Sequence, residues 1–255
     1  MTEISEQLIF NLNRKGNTGL ENFYISKSND LAVSTVKNWR NWPTRKLILM
    51  GPTGSGKSHL ANFWVEQVGA QMISISDMCT LDVVELSENK ALLIDNIDEV
   101  ENSNLEDKIL IEEKLFHLIN SMAHTSCYLM ITSSTIVSTW GFKLPDLMSR
   151  LKTMAVVELL PPDDELLVAV LLKQFDDKQI KVSPEFVLFV SKRINRSFGS
   201  IREFVTLIDE LTLKQKRDVT IPIASRILDS LDKSNIRNDN GNSFDPHLIG
   251  SDLFG

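Results

Sequence analysis

Gly51-Pro52-Thr53-Gly54-Ser55-Gly56-Lys57-Ser58 decides how the rest of this chain is read. It satisfies G-x-x-x-x-G-K-[ST] in the context this pattern requires, after a strand and at the opening of a helix. The strand is predicted over Lys46-Leu47-Ile48-Leu49-Met50, a short apolar run, and the helix over 59–68. Glycines let such a loop curl until its backbone N–H groups face a phosphate, and the helix start adds a favourable dipole. In that chemistry Lys57 supplies charge to the β- and γ-phosphates and Ser58 offers a hydroxyl to Mg²⁺. The competing reading is a Gly-rich turn that binds nothing, and the strand–loop–helix context weighs against it.

Outward from the loop, apolar runs at 71–75, 91–95, 128–132 and 155–159 complete five strand candidates. Between two of them, Leu105, Ile109, Leu115, Leu118, Ile119 and Met122 recur at helical spacing and predict a helix over 105–123. Ser28-Asn29-Asp30 offers N-cap chemistry for a helix running toward Trp39. Strands alternating with helices imply βαβ units and a parallel sheet. Pro161-Pro162 then breaks the chain, and only helical patterns follow, at 163–177, 184–194, 200–216 and 223–231. The expected fold is α/β, a P-loop domain with a five-stranded parallel sheet over 20–160, then a small all-helical domain over 161–231. Residues 1–19 are expected to form a flexible leader and 232–255 a polar, disordered tail.

Ala91-Leu92-Leu93-Ile94-Asp95 sets a carboxylate at the C-terminal end of a strand, the edge where open α/β sheets bind ligands. Beside a phosphate loop, Asp95 is a second candidate for orienting Mg²⁺. Asn96 follows, and an amide cannot take a proton from an attacking water at neutral pH. Slow intrinsic hydrolysis is therefore expected. Asp98 and Glu99 come next, but a strand-end register does not aim both at one place.

Composition narrows the function. Of 255 residues, 42% are hydrophobic and 24% charged, which excludes disordered and collagen-like chains. The net charge of −7 argues against a broad electrostatic grip on nucleic acid, though not against a local basic patch. Two cysteines, Cys79 and Cys127, cannot make a disulfide framework, and four histidines show no metal-ligand spacing. With no leader of signal-peptide type and no apolar run of membrane-spanning length, a cytoplasmic protein that does not contact membrane is expected.

Four stretches together resemble the AAA+ core of the bacterial replication initiator DnaA: Leu20-Glu21-Asn22-Phe23-Tyr24-Ile25, Ser28-Asn29-Asp30-Leu31-Ala32, Gly51 to Leu60, and Leu92-Leu93-Ile94-Asp95-Asn96-Ile97. The resemblance covers about residues 20–231. No helix-turn-helix DNA-binding domain is expected after it, which makes the chain similar to the regulatory, DnaA-inactivating branch of the DnaA/Hda family. That resemblance implies ADP or ATP with Mg²⁺ as ligands. The nucleotide-binding positions it implies are Tyr24 and Ile25 against adenine, with plain core packing the alternative for both, Gly51 through Ser58 with His59, and Asp95, Asn96, Ser134 and Arg202. Ser58 and Asp95 are the implied Mg²⁺ ligands. Ser134, from Thr132-Ser133-Ser134, corresponds to the position called sensor 1, and a turn-capping Ser is an equal reading. Arg202, in Gly199-Ser200-Ile201-Arg202-Glu203-Phe204, corresponds to sensor 2, against the alternative of an ion pair with a nearby acid.

Leu147-Met148-Ser149-Arg150-Leu151 resembles the segment bearing the family's arginine finger, the catalytic group donated to a neighbouring subunit. Its planar fork suits γ-phosphate oxygens; the plain alternative for Arg150 is a surface ion pair. Gln7-Leu8-Ile9-Phe10-Asn11-Leu12 resembles the peptide that binds the sliding clamp, the β subunit of DNA polymerase III. In an extended chain Leu8, Phe10 and Leu12 share one face, and Gln7 precedes them. Phe244 and Leu253-Phe254 are apolar residues in the polar tail, either a second docking peptide or a frayed end. The implied function is negative regulation of replication initiation: clamp-tethered, nucleotide-bound, stimulating hydrolysis of ATP held by DnaA. Self-association is left open. The rival is an autonomous ATPase of the helicase-loader type, and a P-loop metabolite kinase would not need Arg202 or the helical domain.

Overall fold

The computed structural model describes residues 24–215 and 219–238. Contacts divide the chain into two units, Lys27–Pro161 and the chain from Pro162 onward, the latter joined by the segment that ends at Ser26.

In the first unit the apolar runs become strands: β1 (Lys46–Met50), β2 (Gln71–Ile73), β3 (Ala91–Ile94), β4 (Tyr128–Ser133) and β5 (Ala155–Glu158). They form one parallel five-stranded sheet in the order β2-β3-β4-β1-β5. The order follows burial. All four residues of β3 are buried, as are the first four of β1, whereas β2 and β5, at the edges, keep exposed positions. A strand covered on both faces is apolar over most of its length, while an edge strand need not be.

One α-helix of this unit precedes β1 and four cross between strands. α1 spans Asp30–Lys37, α2 Lys57–Val68, α3 Val83–Glu88, α4 Leu105–Ser121 and α5 Pro145–Lys152. α3 and α5 were not among the predicted elements. Asp82 caps α3, accepting from the Val84 N–H at 2.7 Å, and Pro145 opens α5. In α4 the buried stripe is Ile111, Leu115, Leu118 and Ile119; Leu105 and Ile109, predicted for the apolar face, are exposed. That stripe packs with Leu92, Ile94, Leu129 and Ile131 of the sheet and with Leu147 and Leu151 of α5.

The second unit holds α6 (Asp164–Asp177), α7 (Pro184–Ser191), α8 (Phe198–Gln215) and α9 (Ile221–Asn238). Ser183 caps α7 by accepting from the Phe186 N–H, as Ser-Pro at a helix start suggests. The core centres on Phe175, Phe186 and Phe204, whose ring centroids lie 5.9–6.5 Å apart. α9 runs to Asn238, past the end at 231 that the helical pattern predicts and into the stretch whose polar composition predicts a tail.

Candidate phosphate-binding site

Register brings the site together. β1 and β4 pair with Met50 opposite Ser133, so Gly51 and Ser134 leave the sheet side by side. β3 and β4 pair with Ile94 opposite Ile131, which sets Asp95 beside Thr132. The three strand ends thus deliver the phosphate loop, the acid and the hydroxyl segment to one edge.

Gly51 sits where only glycine fits: its N–H donates to the Ser133 carbonyl at 3.1 Å, and a Cβ there would lie 2.4 Å from the Leu159 carbonyl oxygen. Gly54 and Gly56 take left-handed backbone, φ 78° and 96°. Gly56 is the N-cap of α2 and brings no side chain to satisfy the first-turn N–H groups. An uncapped helix start behind a curled glycine loop presents donors to an anion. Pro52, Thr53, Ser58 and His59 are exposed at this mouth, while Ser55 is buried under Gly51.

Lys57 is buried, and its ammonium donates to the carbonyls of Gly51 (2.7 Å) and Pro52 (3.1 Å) and to Ser134 Oγ (3.1 Å). Burial holds its pKa below the ordinary lysine value, while the carboxylates of Asp98 and Asp95 pull the other way. The Thr132 hydroxyl, fully buried, donates to Asp95 Oδ1 and accepts from the Asn96 N–H at 2.8 Å. Ser133 is spent on structure: its Oγ accepts from the Trp140 indole at 2.9 Å and donates to the Thr135 carbonyl. Of the three hydroxyls read as a group, Ser134 is therefore the one that meets Lys57.

Two features were not foreseen. Asn96 has left-handed backbone, φ 51°, a conformation Asn tolerates better than most residues, and it turns the chain into a 3-10 turn over Ile97–Asn102. That turn returns Asp98 to the edge, where its Oδ1 accepts from the Ser134 N–H at 3.1 Å. Asp98 thus joins the candidate site, which the sequence did not suggest; the signal available was its place three residues after Asp95, past a residue suited to a tight turn.

The donor set suits Mg²⁺. Ser58 and Asp95 offer hard oxygens, and no cluster of three His, Cys, Asp or Glu that could hold a metal exists among the described residues. Mg²⁺ commonly takes only one or two protein oxygens and completes its shell with phosphate and water. Asp95 commits Oδ1 to Thr132, and no described residue occupies its other oxygen.

Arg150 lies elsewhere in the same unit. It is exposed on α5, with its guanidinium 5.8 Å from the centroid of the Phe116 ring. α5 is anchored from below, since Glu112 of α4 accepts from the N–H groups of Lys143 and Leu144. No described carboxylate pairs with Arg150. Tyr24, Ile25 and Arg202 belong to the second unit. The Tyr24 hydroxyl donates to Glu165 at 2.5 Å, and burial together with that carboxylate pushes its pKa up to about 12. Ile25 is exposed, as is Arg202, on α8, which forms no ion pair among the described residues. Gln7, Leu8, Phe10 and Leu12 lie outside the described residues, as do Phe244, Leu253 and Phe254.

Cys127 is buried and its thiol is pushed up to about 11 by that burial, while Cys79 is half-buried; neither forms a disulfide. Among the described residues no helix is long and apolar enough to cross a membrane.

A parallel β2-β3-β4-β1-β5 sheet with a phosphate loop after β1, an acid after β3 and C-terminal helices is the α/β AAA+ fold. Within that class it is the fold of DnaA domain III. The chain superimposes on domain III of the Thermotoga maritima replication initiation protein DnaA with a TM-score of 0.68 at 20% identity, covering 84% of this chain and 97% of that one. AMPPCP-bound DnaA from Aquifex aeolicus gives a TM-score of 0.62 at 18% identity over 77% of this chain and 67% of that one. The FIGL-1 AAA domain in complex with ADP gives 0.60 at 14%, covering 94% and 98%. In sequence the chain is 26% identical over 233 residues to an uncharacterized protein of Haemophilus influenzae, covering 88% of this chain and 99% of that protein. No family model matches.

Proposed function

We propose that this protein is a nucleotide-bound regulator of replication initiation of the Hda kind, which offers Arg150 in trans to ATP held by DnaA. The observation that carries this reading is Arg150 itself: exposed on an anchored helix, steadied by a ring and paired with no described carboxylate. A surface ion pair was the plain alternative for that residue. In this reading Lys57 and the α2 start hold the protein's own ADP or ATP, and Ser58 and Asp95 hold Mg²⁺, which neutralises phosphate charge when bound. Ser134 stands against Lys57, where it can sense the terminal phosphate. Arg202, exposed on α8, corresponds to sensor 2 in this reading. The deciding measurement is the rate of ATP loss from DnaA, with DNA-loaded clamp, in the presence and absence of this protein.

Asn96 sets the division of labour. With no carboxylate at that position, its own turnover is expected to be slow. Asn96→Asp keeps the left-handed backbone accessible and adds a proton acceptor. General bases contribute ~10²–10⁴ in rate, so a rise of about tenfold or more in phosphate release is expected. Fast turnover by the unmodified protein alone would show that the amide does not limit hydrolysis.

The leader supplies the tether. Replacing Leu8, Phe10 and Leu12 with Ala is expected to abolish clamp capture while nucleotide binding persists, because three apolar knobs on one face make most of such a contact. Clamp capture at the parent level by the triple variant would remove the peptide from this scheme.

A further inference from the structure

At the other end of β1 from the phosphate loop lies a second cation-rich feature. A cavity of about 540 Å³ is lined by Arg40, Arg45, Lys46 and Arg150, with Trp42 and Met154 among its apolar walls. Lys46 opens β1 and Gly51 follows its last residue, so ~16 Å of strand separates the two sites at ~3.3 Å per residue. No carboxylate lines the cavity, and none of its four cations forms an ion pair among the described residues. In a chain of net charge −7 that is a marked local reversal.

The cations are held in place by groups other than acids. Arg40 lies 4.2 Å from the Trp39 ring centroid, Arg45 5.9 Å from that of Tyr128, and Arg150 5.8 Å from that of Phe116. Lys46 is buried and donates to the Thr44 carbonyl at 3.2 Å. Burial lowers its pKa, the nearby Cys127 pulls the other way, and the charges of Arg45 and Arg150 push it further down. Thr44 and Arg45 both adopt left-handed backbone, φ 53° and 58°, which is unfavourable for such residues and recurs at binding sites. Four like charges gathered without an acid, one of them buried, are stabilised when an anion enters.

We propose that Arg40, Arg45, Lys46 and Arg150 form a pocket that receives the triphosphate chain of a nucleotide presented from outside this chain. The identity of the presenter rests on the trans-finger reading above; the ligand class rests on the cavity. A single phosphate carries ~−1.5 to −2, so four cations call for more than one phosphate group. Three guanidinium forks suit phosphate oxygens in several directions. A single-stranded nucleic acid fits less well, because its grip needs exposed rings for base stacking, and Trp39 and Trp42 are buried. The finger is then one of four groups that bind the phosphates, and the other three set affinity for the presented nucleotide.

The test is calorimetric titration of inorganic triphosphate into the full chain carrying Lys57→Ala, which silences its own phosphate loop. One binding event is expected, weakened about tenfold or more by Arg40→Gln combined with Arg45→Asn, since each charge-assisted hydrogen bond is worth about that factor. Asn suits the left-handed backbone at position 45, and Arg40→Glu, an exposed change, is a second variant should the first melt early. Triphosphate affinity unchanged in both variants overturns the pocket. Tighter binding of a thymidine oligonucleotide with hydroxyl ends, lost in the same variants, overturns the occupant. In the DnaA assay the double variant is expected to need about tenfold more ATP–DnaA for half-maximal stimulation. If Arg150→Ala stimulates fully there, the trans-finger reading fails while the calorimetry still decides the pocket.

Discussion

Arg150→Ala is expected to bind nucleotide and clamp as the parent protein does, yet to leave ATP on DnaA essentially unhydrolysed. Fingers supplied in trans are worth ~10³–10⁵ in rate in GTPases, because a planar cation placed over the transferred phosphoryl group offsets charge that develops only in the transition state. The fold should survive the change. α5 is held by buried Leu147 and Leu151 and by the Glu112 carboxylate at its entry, while Arg150 is exposed and touches the ring of Phe116. Its own phosphate loop lies at the far end of β1, so loss of the guanidinium should not loosen the resident nucleotide. Arg150→Lys should fail as well, since a point charge on a flexible stem does not reproduce the fork. The readout is single-turnover ATP loss from DnaA with loaded clamp. Full stimulation by Arg150→Ala would refute the mechanism; loss of its own nucleotide, or unfolding, would instead mark Arg150 as structural.

Lys57→Ala is expected to weaken ADP and ATP by ~10²–10³, since the ammonium contributes more than one charge-assisted hydrogen bond to phosphate at about tenfold each or better. The side chain also ties the loop together, bonding the carbonyls of Gly51 and Pro52 and Ser134 Oγ. A lower melting temperature without nucleotide is therefore expected on its own account, and affinity must be read below the transition. Removing the ammonium further leaves Asp95 and Asp98 without the cation that faces them, so the edge becomes more repellent to phosphate. Calorimetry with ADP and with ATP decides the matter, and unchanged affinity for both would falsify the assignment of the loop.

The strands were legible because a central parallel strand is apolar on both faces. Lys46-Leu47-Ile48-Leu49-Met50 and Ala91-Leu92-Leu93-Ile94 show this without any partner in view, and β1 begins and ends where the sequence placed it. α5 was missed although Pro145 and the spacing of Leu147, Met148 and Leu151 signalled it; eight residues give a weak periodic pattern. In α4 the stripe was placed too early, because Leu105 and Ile109 satisfy helical spacing yet face away from the sheet. Spacing reports that a face is apolar; which apolar residues are covered depends on what packs against them.

The same division runs through the site. The sequence by itself determined the glycine turn into α2 that makes the candidate phosphate loop, because its glycines, Lys57 and helix start are contiguous and their geometry is local. It also determined Asp95, as the polar residue ending an apolar strand. Only the tertiary structure decided which hydroxyl of Thr132-Ser133-Ser134 meets Lys57, because that follows from the register of β4 against β1 and β3. It alone drew in Asp98, by folding Asn96 left-handed and returning the next turn to the edge. It alone gathered Arg40, Arg45, Lys46 and Arg150, which come from the turns before β1, from β1 and from α5. Local chain stiffness and loop chemistry act between neighbours in sequence, whereas strand pairing and helix docking bring together residues a hundred positions apart, and no pattern along the chain records that.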